Sequence, residues 1–112
     1  MKFVSYTRCG RSGFGLVVEG GIVELAGRLD AGVTTLRQAI AADILAQAEP
    51  YAQGRGAELG WSDLSLLPVI PDPAKILCIG LNYQKHKEET GRPDVDNPTI
   101  FTRFADTQVG HG

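Results

Sequence analysis

The sequence predicts an α+β fold arranged in two units. Three observations carry that prediction. The first 25 residues hold short β-branched and aromatic segments separated by glycine turns. After position 35 a stretch repeats apolar residues at helical spacing. Then Pro68-Val69-Ile70-Pro71-Asp72-Pro73 places three prolines in six residues. Such a run cannot feed a helix or a central strand, so it reads as an extended linker.

Taken in order, residues 2–7 and 14–18 read as strands rich in Phe, Val, Tyr and Leu, with Cys9-Gly10-Arg11-Ser12-Gly13 as the turn between them. Gly20-Gly21 follows, and a Gly-Gly pair accepts the positive φ of a tight hairpin without steric cost. An antiparallel meander results. Thr35 and Gln38 stand at capping-box spacing. Behind them Leu36, Ile40 and Ile44 predict a helix with one apolar face, ended by Pro50. The loop Gln53-Gly54-Arg55-Gly56 leads to Trp61 and Leu64-Ser65-Leu66-Leu67. Residues 1–67 form the small N-terminal domain and 68–74 the proline-rich linker. In the stretch 75–112, Lys75-Ile76-Leu77-Cys78-Ile79-Gly80 has the continuous apolar pattern of a strand buried on both faces. A polar helix from Asn82, closed by Gly91, comes next. A loop over 92–98 then precedes the strand Thr99-Ile100-Phe101-Thr102-Arg103-Phe104. Two buried-type strands with one polar helix cannot cover both faces, so the second unit is expected to be the incomplete opening of a longer protein's domain.

Composition narrows the function classes. The chain of 112 residues carries 11 Lys and Arg against 13 Asp and Glu, a net charge of −2. No basic excess exists to attract nucleic acid or an anionic membrane. Its two cysteines, Cys9 and Cys78, are too few for a disulfide framework and have no zinc-ligand spacing; each reads as a small buried hydrophobe. No signal-peptide pattern and no 18-residue apolar stretch occur, which points to the cytoplasm. The stretch 54–60 departs by one residue from a dinucleotide fingerprint and follows no strand, so a nucleotide site is not expected.

The residues able to carry chemistry are His86 and Glu89. At i and i+3 of a helix they lie on one face, with Cβ atoms about 5–6 Å apart. A carboxylate there fixes one imidazole tautomer and raises the basicity of the other nitrogen, as proton abstraction near neutral pH requires. The alternative is a solvated helix face on which the pair is an incidental contact among Lys85, Lys87 and Glu88. The carboxyl end of the preceding strand favours the first, since α/β folds place ligands there.

The run from Lys75 to Glu89 resembles the opening of the catalytic domain in the fumarylacetoacetate hydrolase family: a strand, then Gly80-Leu81-Asn82-Tyr83, two residues, His86, two residues, Glu89. Asn97-Pro98-Thr99-Ile100-Phe101-Thr102-Arg103-Phe104 and Val109-Gly110 are similar to the family's next block. The resemblance covers residues 68–112. It implies that the second unit opens a mixed β-roll, and that the whole protein is a cytoplasmic homodimer acting on small 2-oxo or β-diketo acids. Hydrolysis of a carbon–carbon bond, decarboxylation and isomerisation are all implied possibilities. The catalytic pair would be His86 and Glu89, activating water or shuttling a proton. Asn82 and Tyr83 would shape the turn and wall of the substrate pocket. Arg103 would grip a substrate carboxylate or, alternatively, make a structural ion pair. His111 reads as a mobile loop residue. The family's divalent metal, magnesium or manganese, is held by a Glu-x-Glu pair and a later Asp, which the chain up to Gly112 does not contain. Asp94, Asp96 and Asp106 do not reproduce that pattern, so no metal is expected in this piece and it is expected to be inactive alone. The competing class is a non-catalytic binding or assembly module.

Overall fold

The computed structural model describes residues 1–80 and 99–112. They divide into two compact units, one of Met1–Pro71 with Val109–Gly112 and one within Asp72–Gln108. The α+β class holds.

The first unit is built on the meander. Strand β1 (Phe3–Arg8) pairs antiparallel with β2 (Arg11–Val18), from Phe3 opposite Leu16 to Arg8 opposite Arg11. The turn between them is only Cys9-Gly10, so the strands run further than their apolar residues suggest. Both turn residues have positive φ, 48° at Cys9 and 74° at Gly10, as a two-residue primed turn requires. Cys9 is therefore exposed at a hairpin tip and not buried; Cys78 is half-buried. Strand β3 (Gly21–Glu24) folds back on β2 through Gly20, whose φ is 84°. Two short strands widen the meander: β4 (Leu59–Gly60) on β3 and β5 (Ser65–Leu66) on β1. The sheet order is β4-β3-β2-β1-β5, antiparallel throughout.

Alternation along these strands separates two apolar clusters. Phe14, Leu16, Val23 and Leu25 are buried together with Val33, Leu36, Ala39, Ala48 and Ala52 from the helical segments. Tyr6, Ile22 and Leu59 form a second cluster, with Val4, Val17 and Leu64 packed against it.

The helical region differs from the single helix read in the sequence. Helix α1 (Leu36–Ala41) starts as expected, with Thr35 and Gln38 closing both bonds of the capping box. It ends after six residues. Asp43 has a φ of 55°, its N–H donates to the Ile40 carbonyl at 3.1 Å, and the Ile44 N–H donates to the Ala39 carbonyl at 3.2 Å. This is the paired 6→1 and 5→2 closure of a Schellman motif, with Asp43 in the place usually held by glycine. The termination turns Ile44 back onto the cluster and leaves Ile40 53% exposed, so the buried face is Leu36 and Ala39. A 3-10 turn (Leu45–Gln47) then leads to helix α2 (Ala48–Ala52). Pro50 lies in the first turn of α2, where a missing N–H costs nothing, rather than at the end of a helix.

In the second unit, β6 (Ile76–Gly80) pairs antiparallel with β7 (Thr99–Arg103), from Ile76 opposite Arg103 to Gly80 opposite Thr99. The expected burial of β6 on both faces is not found. Leu77 and Ile79 are 63% and 56% exposed, as is Ile100 beside them at 62%, while Ile76 and Cys78 on the opposite face are half-buried. A two-stranded ladder offers each side chain only the neighbours on its own face.

Left-handed φ at a non-glycine residue costs roughly 1–2 kcal/mol, less for Asp and Asn. Asp43→Gly and Cys9→Asn are each expected to raise stability by about 0.5–1 kcal/mol, read as a higher urea midpoint at unchanged slope. The buried Tyr6 hydroxyl donates to Glu24 Oε1 at 3.0 Å, and burial together with that carboxylate pushes the phenol well above its usual 10.0. The native state thus holds this proton more tightly than the unfolded chain. Stability from this group is intact below about pH 10 and lost as pH rises further. Alkaline denaturation curves should show that decline in the parent chain and a shallower one in Tyr6→Phe.

Candidate functional site

Strand β6 carries the chain to Gly80, directly before the segment that the sequence marks for chemistry. Asn82, Tyr83, His86 and Glu89, with Asp94 and Asp96, lie outside the described residues. The ladder does define where that segment is attached. Gly80 and Thr99 are cross-strand partners, so residues 81–98 leave and re-enter the sheet at neighbouring positions, with Cα atoms about 4.5–5.5 Å apart.

Arg103 occupies the other end. It stands opposite Ile76, four residues along β7 from Thr99, or about 14 Å at 3.4 Å per residue. Its Nη2 donates to the Thr107 carbonyl at 3.2 Å, across the 3-10 turn (Ala105–Thr107) that follows β7. Thr107 in turn donates through Oγ1 to the Phe104 carbonyl at 2.7 Å. The guanidinium is exposed, and one Nη2 bond to a carbonyl leaves it other donors.

His111 belongs to the first unit. It is exposed in the first unit and lines a cleft of about 670 Å³ with Trp61, Leu64, Ser65, Leu66 and Gly112. A separate polar ring on the first unit has no short-range signature in the sequence. Glu24 accepts from Tyr6 and pairs with Arg28 at 3.5 Å; Arg28 donates to the Tyr51 hydroxyl at 3.4 Å. Arg55 stacks over the Tyr51 ring at 4.4 Å and pairs with Glu58 at 3.5 Å, and Glu58 accepts from the Glu24 N–H at 2.9 Å. Its carboxylates are matched by its arginines, which suits it to fastening strands to helix rather than to binding a charged ligand. Among the described residues no group of three or more His, Cys, Asp and Glu could hold a metal ion. No helix among them is long and apolar enough to cross a membrane.

These features describe an α+β chain whose second unit is an antiparallel strand pair. No family model matches the chain. Its similarity to known proteins includes several enzymes. It is 46% identical over 52 residues to the mitochondrial oxaloacetate tautomerase fahd2 of Xenopus laevis, covering 46% of this chain and 16% of that protein. It is 38% identical over 52 residues to the mitochondrial oxaloacetate tautomerase FAHD2B of Homo sapiens, covering 46% and 17%. With the oxaloacetate tautomerase YisK of Bacillus subtilis it shares 43% identity over 54 residues, covering 46% and 18%. The chain thus matches about a sixth of the length of these curated relatives. This supports membership of the fumarylacetoacetate hydrolase family without singling out a member.

Among the described residues Arg103 bonds, from an exposed position, to a backbone carbonyl, so Arg103→Met should change the unfolding free energy by less than about 1 kcal/mol. Chemical denaturation of the substituted chain measures this directly.

Proposed function

We propose that this chain is the opening part of an enzyme of the fumarylacetoacetate hydrolase family that acts on a small 2-oxo acid, and that its reaction is the keto–enol interconversion of oxaloacetate. The observation that carries the reading is the string Asn82-Tyr83-x-x-His86-x-x-Glu89 placed directly after β6, together with similarity to three oxaloacetate tautomerases. The names of those relatives favour isomerisation over hydrolysis and decarboxylation.

The chemistry asks little of a protein beyond a positioned base. Enolisation removes a proton from the carbon next to the ketone and delivers one to the ketone oxygen. His86 takes the carbon-bound proton and returns a proton to the ketone oxygen, and Glu89, three residues on in the sequence, holds the imidazole in the tautomer that presents a free nitrogen. Asn82 and Tyr83 form the wall against which the substrate lies, and Arg103 offers a planar fork suited to a carboxylate. The divalent magnesium or manganese ion that the resemblance implies finds no donor set among the described residues. The intact protein would act as a homodimer.

In the intact protein His86→Ala should lower kcat for oxaloacetate enol-to-keto conversion by about 10²–10⁴-fold, the range for loss of a general base. Glu89→Gln should lower the rate less. It should also move the acid limb of the kcat/KM profile to lower pH, because an imidazole without its carboxylate neighbour gives up its proton more readily. Loss of ultraviolet absorbance from the enol follows both. Unchanged turnover in His86→Ala would remove the pair from the mechanism and leave a surface helix contact.

A further inference from the structure

Two stretches of chain flank the second unit, and both lie against one edge of the five-stranded sheet. On the outgoing side, the Leu67 N–H donates to the Ser5 carbonyl at 2.9 Å, continuing the β1–β5 pairing beyond Leu66. Ser5 is only 4% exposed, and its hydroxyl donates to the Val69 carbonyl at 2.6 Å. Ile70 then packs against the larger apolar cluster. A serine on the helix-facing side of β1 is out of place by its pattern, and this bond accounts for it.

On the returning side, Gly110 sits against the backbone of Leu66 and Leu67, so closely that a Cβ at position 110 would overlap the Leu66 carbonyl. The obstacle is main chain, which cannot swing aside as a side chain can. The φ of Gly110 is not in the left-handed region, so the glycine answers to space and not to conformation. Strand β5 is the outermost strand of the sheet and would otherwise present its outer edge bare.

We propose that the β1–β5 edge is a two-sided clasp: Ser5 fastens the outgoing stretch 67–70, and Gly110 seats the returning stretch Val109–Gly112 over β5. The chain between them is then held at both ends by a single sheet edge. Fixing two ends together removes part of the entropy that ordering the intervening chain would otherwise cost. The inference is independent of any catalytic reading.

Backbone ¹⁵N relaxation on the chain tests it. Order parameters near 0.85 at Val69, Ile70, Val109 and Gly110 are expected, the value of rigid backbone, against values below about 0.6 for flexible backbone. Gly110→Val should drop residues 109–111 below about 0.6 while Val69 and Ile70 hold. Ser5→Ala should loosen Val69 and Ile70 while 109–111 hold. Gly110→Ala serves should the valine variant fail to fold, since a single methyl already meets the Leu66 carbonyl. Gly56→Ala, with open space around it and no positive φ, should alter neither stretch. Flexible values at either stretch in the parent chain, or a substitution that leaves its own stretch rigid, would overturn the clasp. So would loosening spread evenly over β2 and β3.

Discussion

The first unit depends on one apolar layer: Phe14, Leu16, Val23 and Leu25 on the sheet, closed over by Leu36, Ala39, Ala48 and Ala52. Burying large side chains of this kind stabilises by about 1.5–3 kcal/mol each, which no surface pair here approaches. The other features of this unit keep that layer dry. Alanines at 39, 48 and 52 let short helices approach the sheet closely. The early closure of α1 at Asp43 brings Ile44 onto the cluster, and Ile70 adds to its margin. The helices are too short to persist on their own propensity, so the sheet is what makes them helices.

The opposite face of the same sheet is organised differently. It buries less, and its buried aromatic side chain, Tyr6, is tied through its hydroxyl to Glu24. From Glu24 the polar ring passes through Arg28, Tyr51, Arg55 and Glu58, joining β3, α2 and the approach to β4. Exposed pairs of this kind contribute little singly. Their effect is to hold in register segments that are too short to hold themselves.

The second unit presents the contrast. A two-stranded ladder cannot bury Leu77, Ile79 and Ile100 by itself, and among the described residues nothing does. What it does supply is an attachment: Gly80 and Thr99, side by side, bracket the segment that bears His86 and Glu89. The second unit thus rests on one ladder, whereas the first rests on packing.

That division explains what could be read from the sequence. Local structure was legible: the Gly20 hairpin, the capping box of Thr35 and Gln38, and the alternation of the meander each lie within a few residues. The α+β class followed from them. The tertiary structure alone decided the rest. The break at Asp43 returns Ile44 to the apolar cluster, while Ile40, inside α1, stays on the helix's exposed face. Strands β4 and β5 are two residues long and exist only because a neighbour's edge was free to pair. The buried Ser5 hydroxyl finds its acceptor only at Val69, 64 residues away. Sequence spacing encodes contacts one turn or one pleat apart; contacts between distant residues exist only once the chain has folded back on itself.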